Sequence, residues 1–143
     1  MSQLRLPYAK LSPEAYQGFL MVNKALGNST LGQQLIELVN LRVSQINGCA
    51  FCLEMHAAAL RAGGLAEVKF DSLAGWRVSS HFSERERAAL AWAEALTHIA
   101  ATGAPDEVFE PLKSQFTDGE IADLTFAVAL INGFNRLAIG MRQ

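Results

Sequence analysis

The chain is short of the features that mark several large protein classes. No Lys or Arg is adjacent to another, and 12 of them against 14 Asp plus Glu leave a net charge of −2. Phosphate backbones are gripped by clustered cations, so the electrostatic footprint of a nucleic-acid binder is missing. The longest uncharged apolar stretch, between Asp123 and Arg136, is interrupted by Asn132, Gly133 and Asn135. That falls short of the roughly 20 apolar residues a bilayer span requires, so no membrane helix is expected. The opening residues Met-Ser-Gln-Leu-Arg-Leu-Pro-Tyr lack a basic segment followed by an apolar run, so no secretory signal is expected and a cytoplasmic setting is. Only two cysteines occur in 143 residues. In a reducing compartment a close pair points to catalysis or metal binding rather than to a structural bridge. Strand alternation, repeats of 20–50 residues, low-complexity tracts and linkers are absent as well.

What is present predicts one all-α domain over residues 1–143, a bundle of about six or seven helices. A chain of this length buries roughly 68–70% of its unfolded surface and needs no disulfide or metal staple. Half of the residues are hydrophobic and the mean hydropathy is +0.15, enough for a generous core and for an apolar face turned to a second subunit. Ser12-Pro13 opens a helix to about Leu26, with Pro at the first helical position, where its missing N–H leaves nothing unpaired. From Leu31, the residues Leu35, Leu38, Val39, Val43 and Ile46 recur at three- and four-residue steps and form a helical stripe. Asn47-Gly48 breaks it, and a second helix carries Cys49 to Ala62 before Gly63-Gly64. These two form a tight hairpin. A short helix is expected over Leu65 to Leu73, and another from Pro105 to near Gln115. Ser83 with Glu86, and Thr117 with Glu120, read as capping boxes leading helices at Ala88 to Ala101 and Ile121 to about Met141.

Chemistry concentrates in Cys49-Ala50-Phe51-Cys52-Leu53-Glu54-Met55-His56. At 100° per residue, positions 49, 52 and 56 of one helix fall within about 60° of arc, and the two cysteine Cα atoms lie about 5 Å apart, within disulfide range. The first turn of a helix favours negative charge, so it favours thiolate. Cys52 also has His56 one turn on, about 6 Å away between Cα atoms, close enough for the imidazole to take its proton. Cys52 is therefore the expected attacking sulfur and Cys49 the resolving one. A histidine base needs an orienting group. Glu37 lies about 15 Å back from the hairpin turn and His56 about 12 Å along the returning helix, nearly level with each other.

The pattern Glu37, eleven residues, Cys49-x-x-Cys52, three residues, His56 resembles the active-site signature of the alkylhydroperoxidase D-like branch of the carboxymuconolactone decarboxylase superfamily. Phe82-Ser83-Glu84-Arg85-Glu86-Arg87-Ala88-Ala89-Leu90 and Ile131-Asn132-Gly133-Phe134-Asn135-Arg136-Leu137-Ala138 extend the likeness over most of the chain. The resemblance implies an all-helical fold assembled as homo-trimers or homo-hexamers and a thiol peroxidase that reduces hydroperoxides, with no bound cofactor or metal. It implies a peroxidatic Cys52, a resolving Cys49 and a His56–Glu37 proton relay. It also implies an external dithiol donor, such as a lipoyl group on a dehydrogenase complex, with electrons passed in some members to a peroxiredoxin. This chain departs at Phe51, where well-studied members carry histidine, so one proton carrier is lost and the entrance becomes more apolar.

Other readings compete. Two buried thiols can be inert packing. Zinc held by 49, 52 and 56 is awkward on one ideal helix, where the outer Cα atoms are about 10.5 Å apart, and requires Cys49 to lie off the helix end. Lactone decarboxylation and a non-catalytic redox-sensing or assembly module are the rival functions. Glu54, His81 and His98 are expected at the surface. Trp76, Trp92 and Phe126 are expected in the core or at subunit contacts. The polar inserts Asn132, Asn135 and Arg136 are expected to satisfy backbone or cross-subunit hydrogen bonds, with substrate binding as the alternative.

Overall fold

The computed structural model describes residues 3–143. Among them the regular structure is entirely helical: α1 Tyr8–Leu11, α2 Pro13–Leu26, α3 Gln33–Asn47, α4 Ala50–Ala62, α5 Glu67–Ser72, α6 Glu84–Thr97, α7 Ile99–Thr102, α8 Asp106–Phe109 and α9 Asp118–Met141. Two 3₁₀ segments, Leu73–Val78 and Glu110–Ser114, complete it. The count exceeds the six or seven helices expected because α1, α7 and α8 are single turns.

Both capping boxes form as the sequence predicts. Ser83 N–H donates to Glu86 Oε1 at 2.9 Å while Glu86 N–H donates to Ser83 Oγ at 3.1 Å. Thr117 and Glu120 make the same reciprocal pair at 3.0 and 3.1 Å. The helices begin directly after these caps, at Glu84 and Asp118. At the other end of α6 the expectation is corrected. The helix stops at Thr97, His98 leaves helical geometry (φ −97°, ψ 33°), and a separate turn follows. Pro111, which has no N–H to donate, lies where α8 gives way to a 3₁₀ segment.

The long apolar α9 runs through the bundle against α2, α3, α4 and α6. By length and composition alone it is long and apolar enough to cross a membrane, which corrects the expectation that no such helix exists. One face of it is core: Leu124, Val128 and Ile131 pack with Val39 and Val43 of α3 and with Ala89, Trp92 and Ala93 of α6. A second cluster joins Leu38 and Leu41 of α3 to Leu60 of α4, Leu73, Trp76, Phe82 and Leu90. Helix α3 is therefore gripped from two sides, and each fully buried aliphatic side chain contributes about 1.5–3 kcal/mol. Where α2 crosses α9, Gly133 allows close approach, since a Cβ there would meet the Phe19 ring at 2.8 Å. Phe19 then packs edge-on against Phe134 with centroids 5.1 Å apart.

Glu94 of α6 ties the second cluster together. It accepts hydrogen bonds from Arg42 Nε, Trp76 Nε1 and Arg77 Nη2, each at 2.9 Å. Burial works to raise its pKa, but the bonds from Trp76, Arg42 and Arg77 outweigh it and hold the carboxyl below its ordinary value. Trp76 and Trp92 are core residues as expected, whereas Phe126 is 62% exposed and no part of the core.

Candidate active site

Helices α3 and α4 form the predicted hairpin, and the turn is built for reversal. Gly48 takes φ +73°, a left-handed conformation open to glycine at little cost, and its N–H donates to Ser44 O at 2.9 Å. Cys49 N–H shares that acceptor at 3.1 Å. The two cysteines are joined as a disulfide with Cα atoms 5.3 Å apart, close to the spacing expected from helix geometry. One detail differs. Cys49 is the N-cap of α4 in extended conformation (φ −88°, ψ 97°), so only Cys52 lies within the first turn. The Cys49 sulfur accepts from Cys52 N–H at 3.4 Å, the role a serine oxygen commonly plays at this position. Both sulfurs are buried and pack against Ala138 of α9.

Glu37 and His56 meet across the hairpin. His56 Nδ1 lies 2.6 Å from Glu37 Oε2, with side chains only 8% and 16% exposed. With the carboxylate accepting, Nδ1 is the donor, and in the neutral tautomer that fits this contact Nε2 is a bare acceptor. His56 Nε2 is buried and has no hydrogen-bond partner among the described residues. Gln33 Nε2 donates to the other Glu37 oxygen at 3.0 Å and fixes the carboxylate from one turn away.

The off-helix position of Cys49 removes the geometric objection to zinc. Even so, among the described residues no group of three or more His, Cys, Asp and Glu side chains is arranged to hold a metal ion. The sulfurs are bonded to each other and the imidazole is engaged by Glu37.

An amide network centred on the buried Asn135 ties the cysteine turn to α9. Asn47 Nδ2 donates to the side-chain oxygens of Asn132 and Asn135, both at 3.0 Å, and Asn135 Nδ2 donates to Ser44 Oγ at 3.0 Å. Asn132 Nδ2 donates to Thr97 Oγ1, and Arg136 Nη1 donates to Asn132 Oδ1. The polar inserts in α9 are thus structural ties within the chain. Glu54, His81 and His98 are exposed, as expected.

A cavity of about 290 Å³ opens beside the disulfide, lined by Cys52, His56, Glu37, Asn40 and Asn23 together with apolar groups, among them Leu20, Phe51, Met55, Leu130 and Phe134. Phe51, at the position of the departure noted above, is 40% exposed. Tyr8 and Tyr16 pack edge to face at 6.1 Å and also line the cavity. Tyr8 Oη donates to Gln143 Oε1, while Arg5 N–H donates to Met141 O at 2.7 Å, tying the two ends of the described chain together. Burial, with Tyr16 adding to it, pushes the Tyr8 phenol above its ordinary pKa.

The structure assembles Cys49, Cys52, His56 and Glu37 as the sequence predicts. Sequence reasoning passed over Gln33, Asn40 and the tyrosines. The signal for the first two was there: Gln33, Glu37, Asn40, Ser44 and Asn47 recur at three- and four-residue steps, a polar stripe down one face of α3.

Fold and site together define an all-helical protein with a Cys-x-x-Cys disulfide beside a histidine–carboxylate pair. The model of the carboxymuconolactone decarboxylase family matches residues 13–95, and the chain belongs to that family, in its alkylhydroperoxidase D-like branch. The uncharacterized protein YdfG of Bacillus subtilis (strain 168) is 33% identical over 141 residues, 99% of this chain and 95% of that one. A solved structure from Agrobacterium tumefaciens, of a protein of unknown function described as a candidate antioxidant defence protein AhpD, is 44% identical. It covers 99% of this chain and 97% of its own, with a TM-score of 0.93. The alkyl hydroperoxide reductase AhpD of Nocardia farcinica (strain IFM 10152) is 47% identical over 49 residues, 34% of this chain and 27% of that one.

Proposed function

We propose that the protein is a thiol-dependent peroxidase that reduces hydroperoxides by cycling Cys49 and Cys52 between dithiol and disulfide. The observation that carries this reading is the His56–Glu37 contact of 2.6 Å, which leaves a buried, unpartnered Nε2 one helical turn beyond Cys52. Only a thiolate attacks, and a bare imidazole nitrogen backed by a carboxylate is the group that takes the thiol proton.

The reduced Cys52 thiolate attacks the outer oxygen of R–O–OH. The O–O bond breaks, sulfur loses two electrons and becomes the sulfenic acid, and the proton held on His56 passes to RO⁻ to release ROH. Cys49 then attacks that sulfur, its own proton leaves with the hydroxide as water, and the disulfide closes. An external dithiol, a lipoyl group being the proposed type, exchanges with the disulfide and returns both thiols. Delivery by a lipoylated dehydrogenase subunit, transfer to a peroxiredoxin, and assembly as a homo-trimer or homo-hexamer in the cytoplasm belong to the same proposal.

The test is a coupled turnover assay with cumene hydroperoxide and dihydrolipoamide. The wild-type protein turns over, and Cys52→Ser does not. A Cys49→Ser, Cys52→Ser double variant that still consumed peroxide at the wild-type rate would overturn the reading.

A further inference from the structure

The polar stripe on α3 has one member out of keeping with the rest. Gln33 is bonded to Glu37, Glu37 to His56, Ser44 to Asn135, and Asn47 to Asn132 and Asn135. Asn40, in the middle, is 8% exposed and its carboxamide makes no hydrogen bond among the described residues. A carboxamide that reaches no protein partner gains no hydrogen bond from the fold, so its polar atoms are free for whatever occupies the space in front of it. That space is the cavity it shares with Cys52 and His56.

Its level in the hairpin is informative. Glu37 faces His56 directly. From that rung Asn40 is about 4.5 Å nearer the turn along α3, and Cys52 is about 6 Å nearer the turn along α4. The carboxamide therefore stands at nearly the height of the reactive sulfur, as the carboxylate stands at the height of the imidazole. Asn40 and His56 line one cavity: the Asn40 carboxamide reaches no hydrogen-bond partner among the described residues, and His56 Nε2 is buried without one.

We propose that Asn40 is a catalytic residue that donates its Nδ2–H to the inner oxygen of a bound hydroperoxide, the atom that becomes the alkoxide when the O–O bond breaks. This rests on the peroxidase reading. In that step negative charge leaves sulfur and arrives on the inner oxygen, and a fixed donor aimed there is worth more in the transition state than in the resting complex. His56 Nε2 then supplies the proton that converts RO⁻ to ROH. The apolar remainder of the lining receives the R group, whose polar end is oriented by Asn40.

The experiment uses reduced full-length protein, with Asn40→Leu to remove both polar atoms at similar volume and Asn40→Ser to keep a donor. Two rates are measured for Cys52 by rapid quench and mass spectrometry: oxidation by cumene hydroperoxide, and alkylation by iodoacetamide, whose leaving group needs no hydrogen-bond donor at oxygen. Asn40→Leu is expected to slow oxidation roughly 10- to 100-fold while alkylation stays within about twofold of wild type, and Asn40→Ser to recover part of the loss. Oxidation of Asn40→Leu at the wild-type rate overturns the role of Asn40 and leaves the peroxidase reading standing. Equal slowing of both reactions also overturns it, since that marks a structural residue. If cumene hydroperoxide does not oxidise Cys52 of the wild-type protein, both proposals fall.

Discussion

Replacing Glu37 by Gln keeps the shape of the His56 support and removes its charge. The carboxylate and imidazole are 2.6 Å apart and largely shielded from water. At an effective dielectric of about 20, two charges about 4 Å apart attract by roughly 4 kcal/mol before desolvation is subtracted. A charge-assisted hydrogen bond retains about 1.5–3 kcal/mol of that net, equivalent to roughly 10- to 150-fold in an equilibrium or rate. The bond supports the protonated imidazole that forms when Cys52 ionises, so Glu37→Gln is expected to slow Cys52 alkylation and peroxide oxidation together, each by about that factor. Their joint loss separates Glu37, which acts through His56, from Asn40, which is expected to affect oxidation alone. The assay is iodoacetamide alkylation of the reduced protein followed by mass spectrometry across pH 5–9, with far-UV circular dichroism to show that the helices persist. Alkylation of Glu37→Gln within twofold of wild type across that range would refute the reasoning.

Glu94 yields a prediction about acid stability. Its carboxyl is held below its ordinary value of 4.5, so its contribution is present above that pH and is lost as pH falls through 4.5 towards the lower folded value. Glu94→Gln should lower Tm at pH 7 and flatten the fall of Tm below pH 4.5, as thermal melts across pH 3–7 would show; a variant that falls as steeply as wild type counts against the assignment. Asn135, fully buried, donates to Ser44 Oγ and accepts from Asn47. Asn135→Ala should cost about 2–4 kcal/mol by urea denaturation, because the Ser44 hydroxyl is left unpaired and a cavity opens beside the cysteine turn. A loss below about 0.5 kcal/mol would show that the amide network does not anchor that turn.

The hairpin and the placement of its cysteines, His56 and Glu37 were legible because local rules act there. Gly48 supplies the left-handed cap, the Cys-x-x-Cys spacing sets the 5.3 Å separation, and helix rise alone places Glu37 opposite His56. Capping boxes at Ser83 and Thr117 are likewise local signals. The break at His98 left no such mark. Its N–H still bonds Glu94 O, and apolar spacing continues through Ile99, so a one-residue departure is invisible to periodicity. Cys49 was read one position too far into the helix, an error within the ordinary uncertainty of helix ends. The tie from Arg5 N–H to Met141 O joins residues from opposite ends of the chain, and no pattern along the sequence encodes it. Asn40 was overlooked for a different reason. Its significance lies in having no partner while every other polar member of its stripe has one, and that emerges only when all the hydrogen bonds are assigned.

One measurement bears most directly on the chemistry. The reduced protein is mixed with one equivalent of cumene hydroperoxide, and thiols, intact mass and released alcohol are counted in the same sample. Loss of both thiols, a mass lower by about two hydrogens than the dithiol form, and one cumyl alcohol per chain are the predicted result. Thiols that survive while the hydroperoxide remains intact would contradict it.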